Sequence, residues 1–294
     1  MKHYLISLLI IVALSFMNVA CIKKQETQQE ETIQIELSTY KETELETELE
    51  TEKESDAEKL LILENDVKAL IEEADVGGEV AVYAKGLYTD TILNINNCEL
   101  KSASLIKLYT LGTVYENYDI MCDKYGKKTI DDYLTSMITV SSNRANEKLT
   151  NMLGDGNNER GRAVVHEFCE KYGYNETDYV IYDAKIKKMS STTSVYDCAK
   201  FLEDAYRGKL PYSSEMIRLL KLQQRTHKIP AGIPTGIVTA NKTGELDDTQ
   251  NDVAIVWAKG EPFVLCVMSD QISSTSRAQK CITNIASRVY QFFE

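Results

Sequence analysis

Three short stretches carry side chains able to do chemistry together: Ser104-Leu105-Ile106-Lys107, Ser141-Ser142-Asn143 and Lys242-Thr243-Gly244. A serine and a lysine three residues apart on a helix share one face, so the amine reaches the hydroxyl. Serine alone is a weak nucleophile, and a neighbouring lysine that surrenders its charge is one way to activate it. Each stretch taken singly is weak, because S-x-x-K and K-T-G recur by chance. In this order and on suitable elements they point to acyl transfer through a serine. The bland alternative is a solvated helix lysine at 107 and an ordinary strand end at 243–244, and the joint occurrence argues against it.

These residues need a scaffold, and the pattern around them supplies one. Leu60, Leu61, Leu63, Val67, Leu70 and Ile71 recur at mostly helical spacing from Ala57 to Ala74, and Gly77-Gly78 stops the run. Two strand-like stretches follow, Glu79 to Tyr83 and Thr89 to Asn96, with a turn expected at Lys85-Gly86. Ser104 opens a helix running towards Tyr118, and a mainly helical middle extends from Ile130 to about Gly208. Strands return at Ile237 to Lys242, Asp252 to Ala258 and Pro262 to Ser269, with Lys259-Gly260 as a turn. An amphipathic helix from Ser276 to Phe293 closes the chain. Terminal helices, an antiparallel sheet split between the ends and a helical insert imply an α/β, two-lobed fold with an all-α lobe. Nucleophile and K-T-G strand are expected to meet at the lobe junction, where clefts form.

The N-terminal region reads differently. Met1-Lys2-His3 is a short basic start, and Tyr4 to Ala20 is almost entirely apolar, ending Val19-Ala20-Cys21, a signal-peptide pattern over residues 1–20. Cys21 after Ala20 resembles a bacterial lipoprotein acceptor, which would tether the chain to a membrane outside the cytoplasm. An uncleaved anchor and plain secretion are the competing readings. Residues 21–56 form an acidic, low-complexity tether. From Gln25 to Asp56 there are twelve acids against two lysines, whereas the whole chain is formally −12, so the remainder is close to neutral. Such a segment cannot bury enough apolar surface to offset chain entropy, and its self-repulsion extends it. The acidity belongs to the spacer and says little about the substrate. Residues 57–294 remain as the folded domain.

On these motifs, the chain from Ala57 to Glu294 resembles the class A β-lactamases and penicillin-binding protein-type serine hydrolases. Met137 to Asn143 followed by Ala145-Asn146 is similar to the family's second-motif helix. Thr192-Thr193-Ser194-Val195 resembles the segment after its omega loop, and Asn251-Asp252-Val253-Ala254 its paired strand behind the cleft. The resemblance implies that Ser104 attacks and is acylated, with Lys107 as base. Ser141 would pass a proton towards the leaving nitrogen and Asn143 would bind the substrate amide. Lys242 would add positive potential, Thr243 would bond a substrate carboxylate, and Gly244 completes the motif. The oxyanion would lie between the backbone amides of Ser104 and Glu245. For deacylation, Asp183 takes the general-base position in one alignment of Thr177 to Asp183, and Glu176 in another.

Three departures stand out. Ser142 replaces the aspartate of S-D-N, only 37 residues separate Ser104 from Ser141, and Glu245 follows K-T-G with a carboxylate that would repel an acidic drug. The implied activity is opening of β-lactam amides through an acyl-Ser104 enzyme. A D,D-peptidase, or a penicillin-binding sensor or cell-wall lipoprotein that deacylates slowly or not at all, is the alternative; the substrate would then derive from peptidoglycan. No cofactor or metal is expected: the cysteines form no C-x-x-C pair, and His3, His166 and His227 show no ligand spacing. The absence of a basic patch argues against nucleic acid as a partner.

Overall fold

The structure is a computed structural model that describes residues 56–179 and 191–294, with Lys23 and Gln34. The chain divides into two units, Met1–Leu60 and Leu61–Glu294. The apolar run Tyr4 to Ala20, Cys21 and nearly all of the acidic tether lie outside the described residues. Among those described, no helix is long and apolar enough to cross a membrane.

Five strands make the main sheet in the order β2-β1-β7-β6-β5, antiparallel throughout. They are β1 (Glu79–Gly86), β2 (Ile92–Ile95), β5 (Thr239–Leu246), β6 (Thr249–Trp257) and β7 (Pro262–Asp270). Position in the sheet follows from side-chain pattern. Every residue of β7 is buried, as a central strand covered on both faces requires, whereas β2 alternates exposed and buried residues as an edge strand does. A second ribbon pairs β3 (Leu100–Lys101) with β4 (Thr192–Thr193). Strand β1 runs through the expected turn at Lys85-Gly86 because Lys85 is held by Glu203 at 2.9 Å and Asp90 at 3.0 Å. Gly86 also admits the Glu261 carboxylate, which a β-carbon would meet at 2.7 Å.

A helix over residues 56–74 (α1) and α9 (Thr275–Phe293) are the terminal helices. The apolar positions of α9, Ala278, Cys281, Ile282, Ile285, Val289 and Phe293, recur at three- and four-residue steps and are buried. The helical lobe comprises α2 (Ile106–Glu116), α3 (Tyr118–Tyr125), α4 (Lys127–Thr139), α5 (Asn143–Leu153), α6 (Asn158–Tyr172), α7 (Val195–Tyr206) and α8 (Ser213–Lys221). Side-chain caps start several of them: Asn157 for α6, Ser194 for α7 and Ser274 for α9.

Helix α2 differs from the rest. Ile106 to Tyr115 are all buried, so it has no solvent face and runs through the centre of the lobe. Its polar members, Lys107, Thr110 and Thr113, are therefore desolvated by position, and for Lys107 that desolvation is the origin of its chemistry. Cys98, Cys122, Cys169, Cys198, Cys266 and Cys281 are free thiols, and Cys266 is core in β7, as its apolar strand suggests.

Candidate active site

Ser104 sits in a 3-10 turn, Ala103–Leu105, that leads directly into α2. Three elements hold the backbone before it. Asn251 of β6 donates to the carbonyl oxygens of Lys101 and Ser102 at 2.9 and 3.3 Å, and the Ser102 amide and hydroxyl donate to the Ser191 carbonyl at 2.8 and 2.9 Å. Ala103 is forced to a left-handed φ of 46°, a strained value for a residue with a side chain. Strand β5 packs against this turn so closely that a β-carbon on Gly244 would lie 2.7 Å from the Ser102 carbonyl. The K-T-G glycine is thus a steric requirement.

The Lys107 amine is the hub. Its Nζ lies 2.8 Å from Ser104 Oγ, 2.8 Å from the Ser141 carbonyl, 3.2 Å from Ser141 Oγ and 2.6 Å from Asn143 Oδ1. Burial lowers its pKa to about 8, and the positive charge of Arg225 adds to the effect. A neutral amine has two N–H donors and one lone pair. The carbonyl oxygens of Ser141 and Asn143 take the donors, which turns the lone pair to the Ser104 hydroxyl. Lys242 is completely buried. Its amine donates to Ser141 Oγ at 2.9 Å and to its neighbour's carbonyl at 2.6 Å. Burial, and then repulsion from Lys107, hold its pKa well below that of an ordinary lysine. Ser141 Oγ therefore lies between two amines.

Local structure explains how the second motif reaches this point. Ser141 has a left-handed φ of 60°, between the end of α4 and the start of α5. Ser142, where the resembling family has aspartate, caps α5 by accepting from the Ala145 amide at 3.2 Å. A hydroxyl performs this structural task without charge. The Thr243 side-chain oxygen is buried and has no hydrogen-bond partner.

Glu245 turns out differently from the sequence expectation of a free repelling charge. Its carboxylate lies 3.0 Å from Arg225, 3.1 Å from Lys228 and 3.3 Å from His227. Burial alone would raise its pKa, but Lys228, Arg225 and His227 outweigh that and hold it below the usual carboxylate value. Sequence reasoning missed Arg225 and Lys228. The local signal was three bases in the four residues Arg225 to Lys228 with no acid among them.

The cleft has a volume of about 360 Å³ and is lined in part by Lys101, Ser104, Lys107, Asn143, Asn146, Tyr179 and Glu245. A slightly larger groove of about 390 Å³ between residues 66–73 and α9 is lined by Ser287 with no lysine or histidine beside it. Asn146 donates to the Tyr179 hydroxyl at 2.5 Å across the cleft floor. Tyr179 stands beside a neck where the Asp178 and Thr192 backbones bond to each other in both directions. Asp197 braces that neck, accepting from the Glu176 amide and the Thr177 hydroxyl, each at 2.8 Å. The Glu176 carboxylate is held by Asn97 at 3.0 and 3.1 Å and does not line the cleft. Asp183 lies outside the described residues. His166 is a surface residue, 3.5 Å from Glu170.

Residues 118–293 match the model of the β-lactamase enzyme family, and the chain belongs to that family. The matched span begins after Ser104 and Lys107, so their assignment rests on the geometry above. Among solved structures the fold is similar to an ancestral class A β-lactamase, at 19% identity and a TM-score of 0.67, covering 78% of this chain and 99% of that one. It is also similar to PBP-A (20%, 0.67, covering 78% and 94%) and to a β-lactamase from Sphaerobacter thermophilus (17%, 0.65, covering 76% and 95%). The chain has no match among curated proteins. The family and the two-lobed class A fold are those the motifs imply.

Proposed function

We propose that the protein is a serine hydrolase that opens β-lactam-type amides through an acyl-Ser104 intermediate. The observation that carries this reading is the Lys107 amine, desolvated and 2.8 Å from Ser104 Oγ. In the acylation step Ser104 Oγ bonds to the amide carbon while Lys107 Nζ takes its proton. The electron pair moves to the carbonyl oxygen, received by the backbone amides of Ser104 and Glu245. Collapse breaks the C–N bond, and the leaving nitrogen receives a proton through Ser141 Oγ, which both lysines reach. Asn143 orients the substrate amide, and the unpaired Thr243 hydroxyl is a donor for a second acceptor on the substrate. Lys242 donates to Ser141 Oγ and fixes its position. Asp183 is the proposed base for the hydrolytic water.

One observation favours a second reading, in which the acyl-enzyme persists as in a penicillin-binding sensor or D,D-peptidase. Glu245 is the one carboxylate among the described residues that line the cleft, and it is paired with Arg225 and Lys228. Stopped-flow and intact-mass measurements with a chromogenic cephalosporin, beside Ser104→Ala, separate the two. Sustained turnover abolished in the variant supports the hydrolase, and a single burst with a stable adduct supports the sensor. No adduct and no turnover overturns both for this substrate class. The proposal extends to an extracytoplasmic location, with a lipid on Cys21 and residues 21–56 as spacer. Incorporation of labelled fatty acid lost in Cys21→Ala supports it, and incorporation that persists overturns it.

A further inference from the structure

Three further cations of the described residues lie on the cleft or against Glu245 in its lining, and each is paired with a carboxylate of the chain itself. Lys101, which lines the cleft, pairs with Asp248 at 2.6 Å and Asp270 at 2.8 Å. Arg225 and Lys228 both pair with Glu245, the residue that directly follows the K-T-G motif. Lys228 is completely buried and also donates to the Asn251 carbonyl at 2.7 Å. We infer that the cleft selects acyl donors with no carboxylate beside the scissile amide, and that the Glu245 side chain is the selecting group. This rests on the reading that Ser104 is the acylated residue.

The physical argument is one of competition. A substrate carboxylate brought to strand β5 finds Arg225 and Lys228 already paired with Glu245 and must compete with that carboxylate for them. Separation from Lys228 takes one of two carboxylates from a fully buried amine and leaves it Asp252 alone, which is unfavourable. The two remaining amines do not compensate, because Lys107 and Lys242 are committed to Ser104, Ser141 and Asn143. A neutral leaving group meets none of these costs. The Thr243 hydroxyl, free of any partner, donates to an uncharged carbonyl as readily as to a carboxylate. Discrimination thus comes from an element that penalises the wrong ligand.

The test uses the full-length protein, with Glu245→Gln and Glu245→Asp beside it. Acylation rates are measured by stopped flow for one cephalosporin as free acid and as methyl ester. Affinities for phenylboronic acid and 3-carboxyphenylboronic acid, which add reversibly to a nucleophilic serine, are measured by calorimetry. The expected result is that the unmodified protein favours the ester by about tenfold. The acid-to-ester ratio then rises about tenfold in Glu245→Gln and stays near its original value in Glu245→Asp. A free acid that acylates the unmodified protein as fast as the ester overturns the inference, as does a ratio unmoved in Glu245→Gln. Should Glu245→Gln fail to fold, the unmodified protein and Glu245→Asp decide by the same ratio. If neither cephalosporin forms an adduct, the β-lactam reading falls and the boronates decide. Tighter binding of the uncharged boronate then upholds the inference, and equal binding overturns it. Failure of both boronates to bind overturns the inference together with the role of Ser104.

Discussion

The nucleophile centre and the loop neck beside it are both dense in short hydrogen bonds, yet they are built for opposite ends. Around Ser104 the bonds leave a group unfinished: four oxygens crowd the Lys107 amine, more than its N–H donors satisfy, and the Ser104 hydroxyl is one of them. At the neck the bonds close on one another. Asp197, Thr177, Thr193 and Tyr109 form a chain in which Thr193 Oγ1 lies 2.7 Å from the Tyr109 hydroxyl and 2.8 Å from Thr177. Glu176, which precedes Thr177, is turned to Asn97. The two sets of side chains meet through the Ser102–Ser191 bonds, the β3–β4 pairing and helix α2, which carries both Lys107 and Tyr109, so loss of a single side chain at the neck should largely spare the Ser104 centre.

The largest expected effect comes from Lys107. Lys107→Met should slow acylation about 10²–10⁴-fold, read by adduct formation on Ser104. The same variant should melt at a higher temperature. Lys107 has its folded pKa lowered to about 8, so its contribution to stability is fully present only above the unfolded lysine value and is lost as pH falls through 8. At neutral pH the residue therefore opposes folding, and its removal should raise stability by about 1–2 kcal/mol after the lost hydrogen bonds are counted. In the unmodified protein the acylation rate should rise with pH and level off above about 8. An acylation rate flat from pH 6 to 9 would break the assignment of Lys107 as base.

Asp197 sharpens the comparison from the other side. Burial raises its pKa to about 6 against the hydrogen bonds from Thr177 and the Glu176 amide. A raised carboxyl pKa gives stability that is complete below the unfolded value near 4 and is lost as pH rises through 6. Urea titrations of Asp197→Asn should therefore show a flatter stability profile between pH 4 and 6 than the unmodified protein. The acylation rate should change less than threefold, and a large acylation defect would mean that loss of a side chain at the neck reaches the Ser104 centre. The smallest effect belongs to Glu176→Gln, expected to alter adduct release less than twofold because the Asn97 contact faces away from the cleft. A large defect there would return Glu176 to the role of deacylating base.

Much of this was legible in the sequence, for reasons that differ by element. Strands β6 and β7 show as apolar runs because both faces are covered, and α9 shows as a helical stripe because only one face is. The S-x-x-K, S-S-N and K-T-G residues meet as their order implies. What could not be read is pairing between elements that lie far apart along the chain. Nothing periodic announces that the loop Arg225 to Lys228 will pack on Glu245, or that Asn146 will reach Tyr179. The composition of Lys85-Gly86 suggests a turn, but tertiary partners for Lys85 keep it in the strand. The capping role of Ser142 was likewise hidden, since the departure from aspartate draws attention to lost charge and not to the retained oxygen.

The sheet order has a consequence for how the molecule comes into being. Strand β7 lies at the centre, between β1 and β6, and it is the last strand made. As the chain emerges during synthesis, β1 is separated by more than half the protein from the neighbour that will bury it. The hairpin of β1 and β2 must wait with one edge open until residues 262–270 arrive. Pairings of such long sequence separation are slow, and an open apolar edge in the interval invites association with other chains. The folded state is thus reached only after translation has delivered residues 262–270, and truncation before residue 270 should leave the helical lobe without the sheet that holds it.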